Sequence, residues 1–228
     1  MGERGGGPRR SGRRRAAGGG VGSGLHLLRP PPDARGGLTP TPAGWLGEAE
    51  LRALAAVCER LIPAGEGAAG ATEAGVAAYI DGLLGAFLTD PPRIWAAAEP
   101  SVAGGPVVSP TRFEALSPLE ELAWRMRIEG SLGMPEREFN GPVVGWQQRY
   151  AEGLAALGPD FCDVTGEEQD ARLGQVPEFA ALVHTHACEG MYAAPAYGGN
   201  RDRVGWRNID FPGDAQPWGH PDGEVSGP

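Results

Sequence analysis

The chain has 228 residues, 41% of them apolar, with 38 Gly and 22 Pro, and carries a formal charge of −9 from 29 acidic and 20 basic residues. That is enough apolar sequence for one ordinary domain or two small ones, while the Gly and Pro content approaches the level at which low-complexity stretches are expected. Every basic residue is Arg, and the arginines crowd towards the N-terminus; the acidic body that remains repels phosphate backbones, which argues against nucleic acid as a partner.

Residues 1–37 are rich in Arg, Gly and Pro. Arg9-Arg10 and Arg13-Arg14-Arg15 precede a weakly apolar stretch, Ala16 to Leu28, in the manner of a twin-arginine export signal, but no Phe-Leu follows the pair, and glycines and His26 dilute the stretch. The segment reads as a solvated, disordered extension or a weak export signal, because it buries too little apolar surface to offset chain entropy. Residues 38–218 read as one domain and residues 219–228 as a loose tail. No run approaches the ~18 apolar residues of a membrane-spanning helix. Cys58, Cys162 and Cys188 form no CxxC and suggest no disulfide framework, so they leave the compartment open.

From Leu38 onward the sequence predicts an all-α fold, a compact bundle of about six helices, since no segment sustains period-two alternation over β-branched residues. The first helix, near Glu48 to Ile62, aligns Leu51, Leu54, Ala55, Cys58, Leu61 and Ile62 before Pro63 and Gly65 stop it, which makes Cys58 a core residue. Thr72 is the expected N-cap of a second helix reaching Phe87, with Val76, Ile80, Leu83 and Leu84 in register and Asp90-Pro91-Pro92 beyond it. Residues 91–112 read as a long surface connection.

Ser117-Pro118-Leu119-Glu120 is the strongest local signal, an N-cap Ser, a Pro at the first helical position and a Glu that completes a capping box. Leu119, Leu122, Ala123 and Met126 are the expected buried stripe of that helix. Another helix follows Gly141-Pro142 with Val143, Trp146, Tyr150, Leu154 and Leu157 in register, and Thr165 to Glu168 forms a second capping box. The last helix starts at Pro177 and sets Phe179, Leu182, Val183, His186 and Met191 on one side, weakening at Gly190. Beyond Tyr192 the periodicity stops. Gly, Pro, Asn and Asp interleaved with Tyr197, Trp206, Phe211 and Trp218 predict a long ordered loop whose rings need a surface to cover them.

His184, His186, Cys188 and Glu189 raise the question of a metal. On a helix His184 and Cys188 share one face and His186 and Glu189 another, so a single helix does not converge all four, and His26 and His220 lie in the loose ends. The expectation is therefore no metal and no catalytic residue in this chain; the alternative is a self-contained small metalloenzyme built on those four side chains. No GxGxxG between strand and helix, GxxxxGK[ST], GxSxG or HExxH occurs, so the chain shows no cofactor cradle of its own.

Two stretches resemble a known family. His186-Ala-Cys-Glu-Gly-Met-Tyr-Ala-Ala-Pro-Ala-Tyr-Gly-Gly-Asn-Arg-Asp-Arg-Val-Gly-Trp-Arg-Asn-Ile-Asp-Phe-Pro-Gly213 is similar to the EGxYxxPxYGGNRdxxGWxxIgFPG signature of the gluconate 2-dehydrogenase subunit 3 family. Leu51 to Pro63, followed by Ala71 to Asp81, resembles the opening of the same family. The resemblance implies a non-catalytic accessory subunit of a large FAD-dependent dehydrogenase of the glucose-methanol-choline type that oxidises sugars, sugar acids or polyols, with the FAD in the large chain and commonly a cytochrome c subunit. It implies a periplasmic or envelope location, or a cytoplasmic one if the N-terminus is not an export signal.

Within the signature, the Tyr and Trp side chains are interface-anchor types and the arginines are forked donors suited to carboxylates. Tyr192, Tyr197, Asn200, Arg201, Arg203, Trp206, Arg207 and Phe211 are accordingly the candidate partner-binding residues. The alternative for the same residues is a wrap that packs on the chain's own helices and satisfies its backbone.

Overall fold

The computed structural model describes residues 44–97 and 112–211. The extension read at 1–37, the tail read at 219–228 and the middle of the connection after residue 97 lie outside the described residues. Among the described residues the chain is mostly helical, as the sequence predicts, with eight α-helices, several of them short, and one two-stranded sheet.

Helix α1 (Glu48–Leu61) opens with the Gly47 N–H donating to the Glu50 carboxylate at 2.8 Å and buries Leu54, Val57 and Cys58. Burial pushes the Cys58 thiol up to about 12, in keeping with its reading as a core side chain. The helix expected from Thr72 is two helices, α2 (Ala71–Ala74) and α3 (Val76–Leu84). Gly75 separates them at φ +71°, a left-handed conformation that glycine adopts without a steric cost. Nor is Thr72 the cap. Gly70 takes that place, its N–H donating to Glu73 at 3.0 Å, while the Thr72 hydroxyl donates to Glu59.

The connection that follows contains a small antiparallel pair, β1 (Trp95–Ala97) with β2 (Arg112–Glu114), Ala96 facing Phe113. Three residues per strand are too few for a period-two signal, which is why the sequence reads there as loop.

Helix α4 (Pro118–Ile128) has the predicted capping box: Ser117 Oγ accepts from the Glu120 N–H at 3.4 Å and the Ser117 N–H donates to the Glu120 carboxylate at 2.9 Å. Its buried face is not the predicted one. Leu119 is 76% exposed and Leu122 40%, Ala123 is exposed and Met126 half-buried, whereas Trp124 and Ile128 turn inward with Ala86 and Ile94. The difference is tertiary: Trp124 and Ile128 meet residues of distant segments, Ala86, Phe87 and Ile94, and Arg125 lies over the Phe87 ring at 4.0 Å.

Helix α5 (Trp146–Leu157) starts later than expected, leaving Val143 and Val144 exposed, because residues 143–145 first run beside the end of α4. There the Ser131 N–H donates to the Val143 carbonyl at 3.0 Å, and a Cβ on Gly145 would stand 2.4 Å from the Gly130 nitrogen. At α6 (Gly166–Gln175), Thr165 Oγ1 accepts from the Glu168 N–H at 3.3 Å, but the Glu168 carboxylate accepts from Arg172, so only half of the predicted capping box forms.

Helix α7 (Pro177–Tyr192) continues through Gly190, where a Cβ would come within 2.8 Å of the Tyr79 ring. The residues beyond it were expected as loop and instead form short helical turns, at Pro195–Tyr197 and Arg201–Arg203, and α8 (Val204–Asn208). Helices α1, α3 and α7 pack on one another around Leu54, Ile80 and Val183, with Tyr150 of α5 and Phe161 closing the same core. No helix among the described residues is long and apolar enough to cross a membrane.

Candidate functional site: an aromatic cavity and the C-terminal wrap

Two features meet on α7. The first is a cavity of about 510 Å³ bounded by α3, β1, α4, α5 and α7. Its walls are mainly rings. Trp95 meets Trp124 edge-on at 5.9 Å, Trp124 meets Trp146 at 6.3 Å, and Trp146 meets His186 at 4.5 Å, a relay running from a half-exposed Trp95 into the core.

His186 is only 2% exposed and its Nδ1 lies 3.0 Å from the hydroxyl of the fully buried Tyr150. Burial pushes the imidazole down to about 4 and the Tyr150 hydroxyl up, so both are neutral near neutral pH. On the same wall the Tyr79 hydroxyl donates to Glu189 at 3.2 Å, and burial together with that carboxylate raises the pKa of Tyr79. Tyr197 closes the rim, its hydroxyl oxygen accepting the Ala96 N–H at 2.9 Å.

The second feature is the segment after α7, which folds back onto it. Asn200 is fully buried and adopts a left-handed φ of 45°. Its side chain ties two stretches of backbone, Nδ2 donating to the Ala193 carbonyl at 3.0 Å and Oδ1 accepting from the Gly205 N–H at 3.0 Å, while its own main-chain N–H donates to the Gly190 carbonyl at 2.8 Å. The approach is too close for side chains, since a Cβ on Gly199 would stand 2.2 Å from the Gly190 oxygen and one on Gly205 1.9 Å from the Met191 oxygen. Trp206 is 7% exposed and its indole N–H donates to the Tyr192 carbonyl at 2.8 Å. Asn208 exchanges two hydrogen bonds with Ala69, at 2.9 and 3.1 Å, pinning the wrap to the loop before α2.

These residues lie inside the span matched by a sequence model of gluconate 2-dehydrogenase subunit 3, residues 48–213. The chain belongs to that family. Its name describes a subunit of a dehydrogenase complex. Neither the curated proteins nor the solved structures compared with the chain gave a match.

In this subunit 3 chain the candidate partner-binding residues divide by exposure. Asn200 and Trp206 are turned inward and bonded to the chain's own backbone, and Tyr197 is half-buried at the cavity rim. Tyr192, Arg201, Arg203, Arg207 and Phe211 face solvent, Phe211 with its ring edge-on to Trp206 at 5.2 Å.

The four side chains of the metal alternative point to different surroundings. Cys188 Sγ and His184 Nε2 are 3.8 Å apart on the outer side of α7, His186 is turned to Tyr150, and Glu189 accepts from Tyr79. Among the described residues no group of three His, Cys, Asp or Glu is placed to share an ion. Trp146 is expected from the sequence only as a helix-face residue, and the cavity residues Arg93, Trp95, Trp124 and Arg127 are not expected at all, because the lining comes from separate elements. The available signal was Trp124 and Arg127 at i,i+3, a spacing that also fits an ordinary surface helix.

Proposed function

We propose that this chain is the non-catalytic small subunit that binds and stabilises a large FAD-dependent dehydrogenase of the glucose-methanol-choline type, one that oxidises sugars, sugar acids or polyols and carries the flavin itself. The observation that carries the reading is the family match across residues 48–213. The surface supports it. Of the twelve large apolar side chains exposed among the described residues, seven lie between Leu119 and Val144, with Leu119 at 76% and Phe139 at 94% exposure. So many exposed apolar side chains within one stretch of sequence are what a docking segment would offer. The solvent-facing Arg201, Arg203 and Arg207 supply forked donors for carboxylates on the same partner.

Co-expression with the cognate flavoprotein tests the reading. The two chains are expected to co-elute with flavin absorbance, the flavoprotein losing its thermal stability and sugar-oxidising activity when the small chain is omitted. A flavoprotein that folds, keeps its activity and elutes alone overturns it. Assistance in export belongs to the same proposal and is read separately, by fusing residues 1–37 to a reporter exported only in the folded state.

A further inference from the structure

We propose that the aromatic cavity is a binding site for a planar aromatic acid, a one- or two-ring molecule bearing a carboxylate. At about 510 Å³ it falls within the usual range of small-molecule sites, roughly 300–1,000 Å³. Trp95, Trp124 and Trp146 supply ring faces and edges suited to a flat π-system rather than to a branched aliphatic one.

The polar groups of the cavity select the charge. Tyr150 is fully buried and its hydroxyl has no acceptor among the described residues other than His186 Nδ1, so the hydroxyl donates there and the imidazole proton sits on Nε2. That Nε2–H makes no hydrogen bond within the described residues, and His186 lines the cavity, into which the donor opens. Arg93 is a half-buried guanidinium of the same lining, 5.6 Å over the Phe113 ring and with no hydrogen bond or ion pair among the described residues; burial lowers its pKa against the pull of Asp81. Asp81 is itself occupied, accepting the Leu46 N–H at 2.7 Å. Arg127, lying 5.3 Å over the Trp124 ring, brings a second guanidinium to the rim.

The one carboxylate of the lining, Glu189, already accepts the Tyr79 hydroxyl. Two guanidinium groups and an imidazole N–H thus face a single engaged acid. A cation is repelled, a neutral ring leaves the donors unpaired, and a ring-borne carboxylate satisfies them. The proposal concerns the isolated chain and does not depend on the subunit reading.

Calorimetric titration of the purified full chain with 2-naphthoate tests it, with uncharged 2-naphthalenemethanol and the (2-naphthyl)methylammonium cation as matched rings. Saturable one-to-one binding of 2-naphthoate is expected, roughly tenfold or more tighter than the alcohol, because charge-assisted hydrogen bonds exceed those to a neutral hydroxyl. In Arg93→Gln the preference for acid over alcohol should disappear while the far-ultraviolet circular dichroism stays unchanged. If that variant fails to fold, Arg127→Gln, exposed on α4, should narrow the preference, and Arg52→Gln, exposed on α1 outside the cavity, should leave it intact. No saturable binding of 2-naphthoate, equal affinity for acid and alcohol, tightest binding of the cation, or a preference that survives both cavity variants overturns the proposal.

Discussion

The wrap from Tyr192 to Phe211 and the stretch from Leu119 to Val144 use conspicuous side chains in opposite ways. In the wrap, Asn200 and Trp206 are buried and bonded to the backbone of their own chain. In the other stretch, whose sequence looks like an ordinary capped helix and loop, Leu119 and Phe139 stand in solvent. The contrast teaches that part of a glycine- and aromatic-rich signature can be the chemistry of closure: Asn200 and Trp206 answer backbone demands, while Tyr192, the arginines and Phe211 of the same segment face solvent.

Truncation at the centre of the wrap should have the largest effect on stability. Trp206→Ala removes a buried indole and leaves the Tyr192 carbonyl without its donor, so about 3–5 kcal/mol of stability should be lost. Denaturant unfolding measures it, and affinity for the proposed flavoprotein partner per folded molecule should not change. The neighbouring Arg207→Ala, on an exposed side chain, should stay within about 0.5 kcal/mol. A Trp206 variant with unaltered stability and weakened complex formation would return this residue to the interface.

Asn200→Ala should cost somewhat less, roughly 2–4 kcal/mol, from the orphaned Gly205 N–H and Ala193 carbonyl and from placing Ala at a left-handed φ. Asn200→Gly keeps the conformation free and loses only the two hydrogen bonds, so it should be the milder variant. If Gly is no better than Ala there, the backbone conformation is not part of what Asn200 contributes.

How much of this was legible in the sequence follows from the range of the forces involved. Helix ends set by neighbouring residues, at Ser117, Thr165 and Pro177, were readable because a cap is a local hydrogen bond or a local dihedral. The buried side of α4 was not, because Arg125 over Phe87 is a contact between distant segments that periodicity does not carry. The break at Gly75 escaped because a glycine inside a helical pattern is usually tolerated, and the space it leaves is filled by Arg201 from the far end of the chain. The candidate residues of the tail could be named from the signature, but their division into inward Asn200 and outward Arg207 depends on where the chain turns back. The cavity needed five elements to meet; the signature holds one wall of it, at His186, Glu189 and Tyr197, and gives no sign of the tryptophans and arginines opposite.

Acid acts on α7, the helix the wrap folds upon, through His186. His186 has a folded pKa of about 4 against an ordinary value near 6.5, so between those values the unfolded chain takes up a proton that the native chain does not. Its contribution is complete above about pH 6.5, falls as the pH drops and is fully lost below about 4, amounting to about 3 kcal/mol at most. Burial raises the Asp81 carboxyl, which acts in the opposite sense, so the informative quantity is the difference between the wild type and His186→Gln. That variant should lose most of the acid dependence between pH 6.5 and 4; parallel melting curves for the two proteins would remove His186 from the explanation.

The smallest effect on stability is expected where the comparison predicts the largest effect on assembly. Leu119 and Phe139 each place most of their side chain in water, so exchanging both for Ser removes little buried area and should shift unfolding by less than about 0.5 kcal/mol per site. If the stretch from Leu119 to Val144 is where the flavoprotein docks, the double variant, though equally folded, should be retained at least tenfold less well, since central apolar anchors contribute about 2 kcal/mol or more to an interface. The exposed arginines of the wrap give the counter-test. Arg201→Ala with Arg207→Ala should lower the association rate and its salt sensitivity more than the lifetime of the complex, as charges at the edge of an interface do. A complex that tolerates Ser at 119 and 139 but dissociates when the two arginines are removed would reverse the assignment, making the outer face of the wrap the docking surface.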